Sequence, residues 1–105
     1  MGLDITFTQR ERITCPKCGE LAGYRDIRDV DSSGRIWYDL LERFGYYAPH
    51  SESDWYGKDM TLTREQVNEA YQYVLQHEPY RCDEVSGLLA RAMIEGHDIV
   101  INADW

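Results

Sequence analysis

Leu3-Asp4-Ile5-Thr6-Phe7-Thr8 alternates apolar and polar side chains at every step. Successive side chains of a β-strand point to opposite faces, so this period of two marks a half-buried strand. A strand needs partners, and two other stretches qualify. Asp98-Ile-Val-Ile-Asn102 reads as a C-terminal strand, and residues 21–30 read as a strand returning from a turn at Cys15-Pro-Lys-Cys-Gly19. The C-terminal strand is expected to pair near the N-terminal one.

Between these strands the period changes to that of helices. Trp37, Leu40, Leu41 and Phe44 recur at helical spacing, with Ser33 as the expected cap and Gly45 as the stop. Thr63-Arg-Glu-Gln66 is a capping box, in which the threonine hydroxyl and glutamine amide satisfy backbone groups that a helix start leaves open. Val67, Ala70, Tyr71, Val74 and Leu75 follow as an apolar stripe, and Pro79 stops that helix. A third helix, capped by Asp83, carries Val85, Leu88, Leu89, Ala92 and Met93 and ends at Gly96. The expected fold is α+β. A small antiparallel sheet, made of the N-terminal strand and hairpin plus the C-terminal strand, is packed on a single face by three amphipathic helices. Residues 46–62 have no period and read as a long ordered loop.

The chain has 105 residues, which fits one domain over 1–105. A chain of this length buries roughly two-thirds of its unfolded surface, enough for a core without metal or disulfide. Nineteen acidic side chains against eleven Lys and Arg give a net charge of −8. That charge argues against direct binding to nucleic acid or to an anionic membrane, both of which begin with cationic side chains. No apolar run is long enough for a membrane span, and Asp4 interrupts the start, so a cytoplasmic protein is expected. Residues 1–35 hold six basic and six acidic side chains, whereas residues 36–105 hold five and thirteen. The acidic excess is therefore expected on the helical part, either for solubility or to meet a basic surface.

The most specific chemical motif is Ile13-Thr-Cys15-Pro-Lys-Cys18-Gly19. Two cysteines separated by two residues place both thiolates on one tetrahedral ion, with Pro16 and Gly19 supplying the bend. The motif resembles half of a zinc ribbon, without the second Cys-x-x-Cys. Three readings stand side by side. The knuckle keeps its turn and holds no metal; or Cys15, Cys18, His77 and Cys82 form a structural zinc site; or the pair is redox-active. The last needs a helix after the first cysteine, and Gly19 and Gly23 make a poor helix start.

Asp29-Val-Asp31-Ser-Ser33-Gly34-Arg-Ile36 copies the first eight positions of an EF-hand loop, but the twelfth is Leu40 rather than a bidentate glutamate. A polar turn before a helix explains it. No phosphate-binding glycine loop, His-Glu-x-x-His or nucleophile elbow occurs in the sequence, so no enzymatic activity is expected. Of thirteen aromatic residues, seven fall within 37–56. Tyr46, Tyr47, Trp55 and Tyr56 are interleaved there with Glu52, Asp54 and Asp59. They either pin the loop to the core or form a binding patch with an acidic rim. The candidate contact set is Tyr46, Tyr47, Asp54, Trp55, Tyr56, Asp59, Glu65 and Glu69.

Met1-Gly-Leu-Asp-Ile-Thr6, the knuckle, Asp54-Trp-Tyr-Gly-Lys-Asp59 and Ile101-Asn-Ala-Asp-Trp105 together resemble a group of small acidic proteins of bacterial phages and related mobile elements that carry a single Cys-x-x-Cys knuckle. The resemblance implies no catalytic residues. It implies binding to a host protein with a basic surface, for example as an anti-CRISPR-like inhibitor that occupies the nucleic-acid groove of a defence nuclease. A small-molecule or nucleotide site in an aromatic pocket over 46–56, or a structural or regulatory phage role, are the alternatives.

Overall fold

The alternation at the N-terminus marks the centre of the sheet. In a computed structural model, which describes residues 3–47, 57–77 and 83–104 (the Asp83 side chain excepted), the elements run β1 (Asp4–Thr14), β2 (Leu21–Ser33), α1 (Ile36–Arg43), β3 (Met60–Thr61), α2 (Arg64–His77), α3 (Asp83–Glu95) and β4 (Asp98–Asp104). The strand order is β2-β1-β4-β3, and every neighbouring pair is antiparallel. The α+β fold read from the sequence is the fold observed, including the pairing of the C-terminal strand with the N-terminal one.

Register places Ile5 opposite Ala103, Phe7 opposite Ile101 and Gln9 opposite Ile99. These side chains, with Leu3 and Val30, form the buried face of the sheet. Trp37, Leu40 and Leu41 of α1, Val67, Ala70 and Val74 of α2, and Val85, Leu88, Leu89 and Ala92 of α3 cover it. Trp37 is wholly buried, meets Phe7 edge-on with ring centroids 5.2 Å apart, and donates its indole N–H to Ser32 Oγ at 3.1 Å. A buried indole with its N–H satisfied contributes its full apolar area without a desolvation cost.

The capping box forms as expected. The Thr63 N–H donates to Gln66 Oε1 at 2.9 Å, and the Gln66 N–H donates to Thr63 Oγ1 at 3.2 Å. The cap expected for α1 does not form. Ser33 is the last residue of β2, and Arg35 holds the N-cap position without a side-chain bond. Gly34, at φ 136, makes the turn between them, and its N–H donates to the Leu3 carbonyl at 3.0 Å. Asp29 and Asp31 of the EF-hand-like stretch lie within β2, opposite Thr8 and Thr6, which is incompatible with a calcium loop.

Two helical stripes differ from expectation at their margins. On α2 the inward aromatic is Tyr73, and Leu75 is 41 % exposed. Tyr73 packs on Trp37 and donates its hydroxyl to the Ile36 carbonyl, which fixes the rotation of the helix. On α3, Met93 lies at the edge of the stripe and is 39 % exposed.

The loop expected over 46–62 contains β3, which pairs with Val100 and Ile101. Residues 48–56 fall outside the described residues. β1 and β2 also run further than their patterns suggest. β4 accompanies β1 only as far as Arg10, opposite Asp98. From Glu11 onward β1 pairs with β2 alone. The result is a two-stranded ribbon ending in the cysteine turn. The radius of gyration, 14.3 Å, exceeds the roughly 13 Å typical of this length, as a projecting arm requires.

Candidate functional site

Among the described residues no helix lies over the second face of the sheet, although Val100 near its middle is only 3 % exposed. Its side chains follow from the register. β1 contributes Asp4, Thr6, Thr8, Arg10 and Arg12, and β2 contributes Asp26, Asp29 and Asp31. β4 contributes Asp98, Val100, Asn102 and Asp104, and β3 adds Thr61. Asp59, just before β3, joins them by accepting a hydrogen bond from Asn102 Nδ2 at 2.9 Å. Among the described residues, seven carboxylates thus share one surface with two guanidinium groups.

Two of the seven are paired. Arg10 Nε lies 2.7 Å from Asp26 Oδ1, with its guanidinium 5.7 Å from the centre of the Tyr24 ring. The hydrogen bond to Asp26 raises the Arg10 pKa above its ordinary value, and the nearby charges of Asp26 and Asp59 add to this. Arg12 grips Asp98 with two bonds, 2.8 and 3.0 Å. Among the described residues, Asp4, Asp29, Asp31, Asp59 and Asp104 have no cation within salt-bridge distance. Asp31 is held by the Thr6 hydroxyl at 2.7 Å.

This arrangement reorganises the charge division read along the chain. Four of the seven aspartates come from the electrically balanced first third. On the helical side one carboxylate has a cationic partner and another stands alone in the first turn of a helix. Glu69 lies 3.7 Å from Arg43 of α1, and Glu65 is exposed in the first turn of α2. Asp59 therefore belongs to the open sheet face, while Glu65 and Glu69 belong to the helical layer.

The aromatic residues also separate. Tyr46 is wholly buried. Its hydroxyl accepts the Ala103 N–H at 2.8 Å and donates to the Lys58 carbonyl at 2.6 Å, with the Ala103 carbonyl 3.2 Å away. Burial raises its pKa. Tyr46 pins the chain after α1 to the end of β4 and has no surface to offer a partner, which corrects its place in the candidate contact set. Tyr47 is half-buried and meets Tyr38 edge-on at 4.8 Å. Asp54, Trp55 and Tyr56 lie outside the described residues.

The knuckle turn is closed by its own backbone. The Gly19 N–H donates to the Cys15 carbonyl and the Cys15 N–H to the Glu20 carbonyl, both at 2.8 Å, closing the turn with Gly19 at φ 73. That positive φ is a conformation only glycine adopts without strain. The backbone N–H groups of Cys18 and Lys17 point at the Cys15 sulfur, and the Cys18 thiol adds a further bond; together they lower the Cys15 pKa. Cys15 is half-buried and Cys18 exposed.

Among the described residues, no group of three or more His, Cys, Asp or Glu side chains could hold a metal ion. His77 lies at the far end of α2, stacked on Tyr73 with centroids 4.0 Å apart and its Nδ1 2.9 Å from the Tyr73 carbonyl. Tyr73 in turn contacts Ile36 and Trp37, at the end of the sheet opposite the ribbon. The start of α2 lies near His97 and Arg12, so the helix rise separates His77 from that end by roughly 20 Å. The structure does not bring His77 to Cys15 and Cys18. Cys82 lies outside the described residues.

Near the base of the ribbon, Gln9 joins β1 to the end of α3. Its Nε2 donates to Glu95 Oε2 at 2.9 Å and to His97 Nδ1 at 2.8 Å. A lone glutamine in a polar stretch carries no pattern, so the sequence does not single it out. A cavity of about 120 Å³ lies alongside, lined by Arg12, Thr63, Arg64, His97 and Asp98 among others. That is below the roughly 300–1,000 Å³ of small-molecule sites. No helix among the described residues is long and apolar enough to cross a membrane. Set against known proteins, the chain matches no protein-family model, no curated protein and no solved structure.

Proposed function

We propose that the protein works by binding another protein, offering the open face of its sheet to a basic surface. The observation that carries this reading is the concentration of seven aspartates on a face with two arginines. Alternate residues of a strand lie about 7 Å apart and neighbouring strands about 5 Å apart. The aspartates therefore present negative charge at a spacing of the same order as that of phosphates along a nucleic-acid strand. A groove that binds nucleic acid is the protein surface that best complements such a lattice. Together with the resemblance to phage proteins, this favours an inhibitor that occupies the nucleic-acid channel of a host nuclease. Thr6, Asn102 and the arginine pairs hold part of the carboxylate array in place, which lowers the ordering cost of binding.

The test is capture of partners from a bacterial host lysate on the immobilised protein, in parallel with a variant combining Asp29→Asn, Asp31→Asn and Asp59→Asn. The reading expects a basic nucleic-acid-binding protein that elutes as salt rises and is lost in the triple variant. It also expects that Glu65→Lys with Glu69→Lys leaves capture intact. Capture that survives the triple variant and high salt would overturn it.

A further inference from the structure

We propose that two copies of this chain close one tetrahedral zinc site, each contributing Cys15 and Cys18 from the tip of its ribbon. The turn already holds two free cysteines close together at an accessible tip. The Gly19 N–H donates to the Cys15 carbonyl and the Cys15 N–H to the Glu20 carbonyl, both at 2.8 Å, which keeps Cys15 and Cys18 in one closed turn. Zinc in a structural site takes four ligands, and the described residues supply two here. The ribbon explains why. β4 leaves β1 at Arg10, so the turn stands beyond the sheet, and the helices lie over the residues that precede it. His77 is held at the opposite end of the molecule by Tyr73.

Two features of the ribbon favour a second copy as the source of the other two thiolates. The first is charge. Residues 10–28 carry five basic and three acidic side chains, in a chain whose net charge is −8. Two tips of net +2 each repel one another on their own, and a negatively charged metal centre between them offsets that repulsion. Each thiol loses its proton on binding, so four protons leave and the four-thiolate zinc centre carries charge −2, next to the Lys17 of both copies. The second is apolar exposure. Ile13 is 42 % and Leu21 50 % exposed, and they flank the turn on its two strands. A partner tip would remove both from water.

The experiment is a zinc titration of the reduced full chain, followed by sedimentation velocity, with cobalt substitution read by absorption. The expected result is one ion per two chains, a mass rising from 12.3 kDa to twice that value, reversal by a chelator, and a tetrathiolate cobalt spectrum. Cys18→Ser should stay monomeric in zinc while keeping the wild-type circular dichroism, since the turn lies outside the core. Cys82→Ser should dimerise like the wild type. One zinc per chain with no change in mass, loss of binding in Cys82→Ser, or no zinc bound at all would each overturn the proposal.

Discussion

Asp4 of β1 stands directly opposite Asp104 of β4 on the sheet face away from the helices, and both side chains are exposed. Like charges at facing positions of an antiparallel pair oppose pairing by roughly 0.2–1 kcal/mol. Asp31, diagonal to the pair across β1, adds to the field. The arrangement costs the sheet stability. Asp104→Asn is therefore expected to raise the melting temperature by about 1–5 °C at low ionic strength, using the usual conversion for a domain of this size. The gain should shrink in about 0.5 M salt, because screening weakens exposed charge pairs. A melting temperature that falls on substitution would show that Asp104 is held by contacts other than charge.

Tyr46 has the opposite character, a polar group committed to the interior. Its hydroxyl accepts the Ala103 N–H and donates to the Lys58 carbonyl, with the Ala103 carbonyl also close by. Tyr46→Phe leaves those backbone groups short of a partner, at an expected cost of about 1–3 kcal/mol measured by urea unfolding. The pH dependence follows from the raised pKa of Tyr46, caused mainly by burial. Tyr73 is shifted the same way for the same reason. Above about pH 10 the unfolded chain loses these protons before the folded chain does, so the folded state binds more protons and stability falls as pH rises. The contribution is intact below the ordinary tyrosine pKa and lost through the folded value. Tyr46→Phe should flatten this alkaline decline; an unchanged slope would locate the decline elsewhere.

These residues also show how much of the fold is legible in sequence. The alternation of residues 3–8 is legible because one face of β1 is buried under helices while the other carries exposed or half-buried polar side chains. From Glu11 to Thr14 both faces of the ribbon meet solvent, so no alternation is written there and the strand is invisible to pattern. The capping box is legible because its chemistry is local to four residues. Leu75 and Tyr73 are exchanged because a helical stripe has soft margins, and the hydroxyl bond from Tyr73 to Ile36 settles a choice that apolar periodicity leaves open. The knuckle is visible for the same local reason as the cap. The acidic face is not, because its aspartates come from four segments and assemble only through strand register. Counting charge along the chain assigns it to the helices.

Gln9 offers a test of a buried polar bridge. It is 1 % exposed, and its Oε1 has no hydrogen-bond partner among the described residues. The amide orientation is dictated by Glu95, whose carboxylate requires a donor. Gln9→Leu removes the orphaned oxygen and fills nearly the same volume beside Ile99, while His97 and Glu95 keep each other at 3.2 Å. Stability is expected to stay within about 1 kcal/mol of the wild type or to rise, because deleting an unsatisfied buried group offsets the lost bonds. Gln9→Glu places a second carboxylate against Glu95 and should cost several times as much. A loss above about 2 kcal/mol for the leucine variant would mean the bridge is needed for the fold.

The two cysteines of the turn should differ in reactivity even without metal. Thiolate is the nucleophilic form, and the N–H groups of Lys17 and Cys18 stabilise it at Cys15. Cys18 is the more exposed of the two, so access alone would favour modification there. With limiting iodoacetamide on the reduced protein between about pH 6.5 and 8, followed by peptide mapping, Cys15 is expected to be alkylated faster than Cys18. Its rate should reach half of its plateau below the usual thiol range. Gly19→Ala bears on the same cause, because φ 73 is strained for any residue with a Cβ. Opening the turn should move the N–H groups off the sulfur and carry the Cys15 midpoint back toward the ordinary thiol value, with little change in the unfolding curve of the domain. If Cys18 reacts first at every pH, access outweighs the backbone field, and the turn does not activate Cys15.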